Sequence, residues 1–316
     1  MSTITLPLRP LGATGLQVTS VTLGGGPLGS MPELFGHDTS AADAIELVGA
    51  ALDGGIRTID TSNGYSDGES ERRIGAALRA YGSLPDDTLI TTKVDPVGAD
   101  YSGQRVRDSL RESSQRLGLD YLPVVLLHDP EFHDFDYITA PGGAVDALIQ
   151  AKKVGQVGHI GIGAGDTRVI SRYLDLGVFE VLLTHNRWTL ADRSSAGIIG
   201  QAVASGMGIL NAAVHGGGIL TDPPRQNTIY GYRPAQPEKL DAIEQMRQVC
   251  RRYGTDLGTA AVRFSTRDSR FSSTVIGLSS TRRLQATIDA ATVDLPDALF
   301  TELEALLPAP HTWLDA

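Results

Sequence analysis

The chain has 316 residues, 41% of them hydrophobic, a formal net charge of −10 and one cysteine. This composition points to neither a disordered chain nor a membrane protein, no run of about 18 apolar residues offers a span, and the acidic balance argues against nucleic-acid binding. The start MSTITLPLRP lacks a secretory pattern, and the lone Cys250 allows no intrachain disulfide; a cytoplasmic protein fits both.

In chain order, LRPLGATGLQVTS comes first, two short runs about a Gly-containing turn, which predicts a β-hairpin. Apolar strand-like runs then alternate with amphipathic helical segments. Strands are predicted over residues 21–25, 56–60, 89–93, 124–128, 157–161, 181–185, 208–212 and 274–277. Helices are predicted over 41–52, 103–117, 144–154, 168–176 and 195–204, with another opening near Glu69. Between the seventh and eighth strands lies a long insertion, 219–270, with the Pro-, Tyr- and Gly-rich TDPPRQNTIYGYRPAQP and a helix over 237–253 that would bury Cys250. Such alternation argues a parallel sheet, and eight units argue closure into an α/β (β/α)8 barrel, read as one domain over 1–316.

Apart from 181–185, which ends in His185, three of these strands end in a titratable group: 56–60 in Asp60, with Tyr65 in the polar loop beyond, 89–93 in Lys93 and 124–128 in His128. A parallel barrel presents its strand C-termini on one face, where catalysis occurs, so these four side chains are expected to converge there. The seven histidines show no H-x-H or H-x-x-x-H spacing, and no metal site is expected. The glycine runs do not form the G-x-G-x-x-G dinucleotide fingerprint either.

Through IDTSNGY, TTK and LLHDP the chain resembles the aldo-keto reductase family, and the likeness runs from the hairpin to TVIGLSS near the end. Small residues after the seventh strand (NAAV) and the segment THNRWTL are similar to its sugar-oxidising branch, the galactose, fucose and threo-aldose dehydrogenases. The resemblance implies that the hairpin closes the bottom of the barrel. It implies that Tyr65 donates and accepts the proton, that Lys93 lowers the phenol pKa from about 10, that Asp60 holds Lys93, and that His128 orients the substrate oxygen. No side chain donates hydride, so a nicotinamide cofactor, NAD or NADP, is implied.

By the same resemblance, Gly216, Gly217, Gly218 and Leu220 wrap the pyrophosphate, with Gly26, Asp60 and Gly277 lining the site. Ala212 replaces the usual stacking aromatic. His185 or Asn186 takes over the carboxamide, since Gly163 and Ala164 stand where relatives have Ser-Asn. At the adenosine end are Ser279, Arg283 and Thr287, and the absence of a second basic residue at Ser279 tilts the choice towards NAD or dual use. The expected substrate rim includes Phe35, His37, Phe132, Trp188, Tyr230 and Tyr232, with Trp313 brought near by the tail. The expected partner is a small carbonyl or sugar, with no oligomer surface legible. Oxidation of a sugar at the anomeric carbon leads. Reduction of an aldehyde, ketone or keto-sugar by the same four residues is the alternative, and a non-catalytic cofactor-binding subunit is a distant third.

Overall fold

The computed structural model describes residues 6–32, 38–225 and 228–316. Two short antiparallel strands, β1 (Leu8–Pro10) and β2 (Gln17–Thr19), form the predicted hairpin. The barrel strands follow as β3 (Val21–Gly24), β4 (Thr58–Asp60), β5 (Leu89–Val94), β6 (Leu122–His128), β7 (Val157–Ala164), β8 (Val181–His185) and β9 (Gly208–Ala212). A two-stranded ribbon, β10 (Ile229–Tyr230) and β11 (Arg233–Pro234), precedes the last barrel strand, β12 (Ser273–Gly277). All barrel pairings are parallel, and β12 closes the ring between β9 and β3.

Every predicted barrel strand is present, and the differences lie at the ends. β7 runs three residues past its expected end because β6 and β8 supply ladder partners that far, His128 opposite Gly163 and Thr184 opposite Ala164. The insertion holds two helices, Pro237–Arg252 and Leu257–Thr266, where one was expected. Asp256 caps the second by accepting from the Thr259 N–H, a local signal at the N-cap.

The barrel interior is filled by apolar side chains, as a packed parallel barrel requires. Leu89, Val124, Leu126, Val181, Leu183, Leu210 and Val275 share one buried cluster with Leu11 and Val18 of the hairpin, which thus plugs the bottom. Gly12 has a left-handed backbone (φ 55°), and a side chain there would collide with the backbone of Met207 and Gly208. A second cluster lies outside the barrel, where the insertion helices pack on Leu299 and Leu303 and bury Cys250; burial pushes that thiol up to about 12.

Candidate active site

The ladder register fixes which side chains reach the upper face. Gly24 pairs with Asp60, Asp60 with Thr91, His128 with Gly163, His185 with Ala212, and Gly24 with Gly277. Strand ends predicted from sequence to carry chemistry therefore meet at one mouth. Lys93 Nζ donates to Asp60 Oδ2 at 2.7 Å, to the Thr61 carbonyl at 2.7 Å and to Tyr65 Oη at 3.2 Å. Thr91 Oγ1 donates to the other Asp60 oxygen at 2.8 Å. The His128 ring meets the Tyr65 ring edge-on at 5.6 Å.

The loop bearing Tyr65 is held from below. Buried Glu71 accepts from Thr92 Oγ1 at 2.7 Å and pairs with Arg116, which also donates to the Asn63 carbonyl at 3.0 Å. Gly75 packs against the Arg116 carbonyl so closely that a Cβ would overlap it. These contacts account for the glutamate and glycine downstream of Tyr65 as supports of the loop.

Burial drives the Tyr65 phenol above its ordinary value, and Lys93 opposes this only in part because Asp60 stands beside it. Lys93 does lower the phenol, as expected, but burial is the larger effect and Asp60 adds to it, so the net value stays above the ordinary one. Burial also disfavours the Lys93 ammonium, yet Asp60 and Tyr65 outweigh it and Lys93 stays charged.

Asp95 was not singled out in the sequence. It follows β5 and binds His128 Nδ1 at 2.6 Å, and it accepts from the Gly64 N–H at 2.7 Å and from Ser62 Oγ. The imidazole's Nδ1 is thus occupied and Nε2 is left for the mouth. Burial works against the imidazolium, but Asp95 and Asp129 together outweigh it and the His128 pKa is raised. Asp95→Asn is expected to shift the alkaline limb of kcat/KM for carbonyl reduction to lower pH, because the Nε2–H donor form would be lost sooner. A limb that stays in place would assign the control of His128 elsewhere.

Around this centre lie groups suited to a dinucleotide. Asn186 is buried with a left-handed backbone (φ 61°). Its Nδ2 faces His185 Nδ1 at 3.1 Å, while its Oδ1 is buried with no hydrogen-bond partner. Burial lowers the His185 pKa to about 4, so the ring is neutral. Gly216, Gly217 and Gly218 all have positive φ, at 58°, 78° and 102°. Arg225, which the sequence did not single out, packs its side chain on Gly218. Its guanidinium is held below its ordinary range by burial first and by nearby Arg283 second. Across the closing seam Gly277 abuts Pro27, next to half-buried Gly26. Ser279 is half-buried, Arg283 is exposed on the helix Thr281–Thr292, and Thr287 is buried one turn on.

Several expected contacts are corrected. Leu220 is fully buried in the outer apolar cluster, and its N–H is given to the His215 carbonyl. Trp188 is not on the rim: the chain turns outward after β8, and its ring packs on Phe264 and Phe271 with Arg270 4.3 Å away. Tyr230 is buried too, its hydroxyl donating to the Asn186 carbonyl at 2.7 Å and its ring under Lys239. It supports the loop of Asn186 from behind. Tyr232 is exposed, 6.4 Å from the His185 ring, and Phe132 is exposed in the turn after β6. Phe35 and His37 lie outside the described residues. The tail does reach this region, but through Asp315, which pairs bidentately with Arg187 at 2.7 and 3.0 Å, whereas Trp313 donates to the Pro308 carbonyl.

Comparison with known proteins gives the following. A family model described as the aldo/keto reductase family matches residues 20–308. L-galactose dehydrogenase of Arabidopsis thaliana is 30% identical over 313 residues, covering 96% of this chain and 94% of its own length. D-threo-aldose 1-dehydrogenase of a Pseudomonas species is 29% identical over 328 residues, covering 94% and 97%. Among solved structures, an aldo-keto reductase of Bacillus halodurans in its holo form superposes with a TM-score of 0.80 at 19% identity, covering 98% of each chain.

Proposed function

The chain belongs to the aldo/keto reductase family, and on that premise we propose that it oxidises a sugar at the anomeric carbon, with Tyr65 exchanging the proton. It is an oxidoreductase acting on CH–OH or C=O groups, and it works with a nicotinamide cofactor. The observation that carries the assignment of roles is the unbroken contact Asp60–Lys93–Tyr65 with His128 at the same mouth. The sugar reading is supported by the names of two relatives, L-galactose dehydrogenase and D-threo-aldose 1-dehydrogenase.

The residues present fit the cofactor. A primary carboxamide offers both an N–H donor and a carbonyl acceptor; the orphaned Asn186 Oδ1 needs a donor and the neutral His185 lies beside it. Gly216 and Gly218 give their N–H groups to the Ala213 and His215 carbonyls, so among these positive-φ glycines the half-buried Gly217 is the one suited to offer its amide to a phosphate oxygen, and Arg225 and Arg283 add positive charge nearby. When bound, the nicotinamide supplies the hydride acceptor or donor.

In this reading Tyr65 Oη and His128 Nε2 hold the substrate oxygen from two sides. The Tyr65 proton leaves to, or arrives from, that oxygen, and Lys93 steadies the phenolate. The roles of phenol and phenolate set the sign of the pH dependence, and the raised phenol pKa moves its range upward. The neutral phenol is the donor form, so reduction holds through neutrality, while oxidation needs the phenolate and rises with pH.

Arg225 lies against Gly218 of the glycine loop, and Ser279 brings no charge to the place where the family resemblance puts a 2′-phosphate. We therefore expect fluorescence titration to show NADH binding at least as tightly as NADPH, and aldoses to be oxidised with NAD. NADPH binding tighter by about tenfold or more, equivalent to roughly 1.4 kcal/mol, would overturn the NAD preference and favour carbonyl reduction instead.

A further inference from the structure

We propose that Asp129 determines substrate specificity, its carboxylate accepting a hydrogen bond from the hydroxyl on the carbon next to the reacting one. The proposal rests on the reading of this mouth as a carbonyl–alcohol site and names what that site selects.

Three observations carry it. The first is position. Asp129 directly follows His128, and its Oδ2 lies 3.7 Å from His128 Nε2, the ring nitrogen not engaged by Asp95. A substrate oxygen held by Nε2 at about 2.9 Å, with a neighbouring hydroxyl about 2.8 Å from Oδ2, bridges that gap. A vicinal pair of oxygens has this shape, and a lone carbonyl does not.

The second is availability. The Asp129 side chain is 38% exposed, and among the described residues no donor other than His128 Nε2 comes within ion-pair distance of it. The two buried cations of this region are committed elsewhere, Lys93 to Asp60 and Arg187 to Asp315. Asp129 also acts on the whole mouth: its charge favours the protonated forms of Tyr65, His128, His185 and Tyr232. A fixed negative charge there favours a neutral, hydroxyl-rich substrate over a carboxylate.

The third is how the residue is held. Asp129 has a left-handed backbone (φ 42°, ψ 48°), although it carries a side chain and precedes Pro130. A residue before proline is normally driven to extended conformations, and L-residues avoid the left-handed region. The Asp129 N–H donates to the Gly163 carbonyl at 2.8 Å and pins this conformation. The outcome is a backbone that sets the carboxylate beside the nitrogen that would hold the substrate oxygen, and strained positions of this kind cluster at functional sites.

The test is the ratio of kcat/KM for an aldohexose to that for its 2-deoxy analogue, measured with NAD in the full chain and in the Asp129→Asn and Asp129→Ala variants. A hydrogen bond to a charged group gives the full chain a preference of about 10- to 100-fold, residing mainly in KM. The ratio should collapse towards one in Asp129→Ala and fall part of the way in Asp129→Asn. A ratio near one in the full chain, or an equal loss on both sugars in the variants, would overturn the proposal. If neither sugar is oxidised, the sugar reading itself fails; the ratio for glyceraldehyde against propanal, in reduction with NADH, then decides the role of Asp129 by the same criteria.

Discussion

Replacing Tyr65 by Phe is expected to lower turnover by about 10²- to 10⁴-fold, the range general acid–base catalysis contributes, while cofactor binding persists. The substitution removes only Oη, which lies 3.2 Å from Lys93 Nζ, and keeps the ring that meets His128 edge-on. The loop is held by Glu71, Arg116 and Asp95, none of which touches that hydroxyl, so folding should be spared. The pH profile gives a second readout. In the intact protein, oxidation should climb with pH as the buried phenol, held above its ordinary value, ionises; in Tyr65→Phe that climb should vanish. Retained turnover, or a climb that survives, would remove Tyr65 from the proton path.

Lys93→Met should be as damaging to turnover and should also destabilise the fold. Lys93 and Asp60 are both almost wholly buried, and removing the ammonium leaves an uncompensated carboxylate. Breaking a buried pair from one side typically costs about 3–5 kcal/mol, to be read as a lower urea midpoint with an unchanged slope. The phenol, losing the ammonium that opposes its burial, should ionise at still higher pH. The double variant Lys93→Met, Asp60→Asn separates the two effects. It should recover much of the stability, because no lone charge is left inside, and none of the turnover. Turnover that returned with stability would mean that Lys93 serves only the fold.

Asp60, Lys93 and His128 were legible because each ends an otherwise apolar strand, a costly place for a charge unless it is used. Tyr65 was legible from its distance to one such end. Asp95 and Arg225 were not: each looks like an ordinary loop charge until the chain is closed. Asp95 is opposite His128 only because β5 and β6 pair in register and both loops bend inward. Arg225 meets Gly218 only because the insertion folds back on itself. Trp188 and Tyr230 misled in the reverse direction, since an aromatic near a mouth suggests a rim and nothing local says which way its loop turns.

The sequence by itself determined the alternation of eight strands with helices, the N-terminal hairpin and the strand ends that bear titratable groups. These follow from short-range periodicity and from the cost of burying charge, and both can be read residue by residue. Only the tertiary structure decided which way the phenol pKa moves, which nitrogen of His128 is left for the mouth, and which aromatics line it. Those outcomes depend on burial and on distances between residues far apart in the chain. A Coulomb interaction or a desolvation cost exists only once the barrel has brought its partners together.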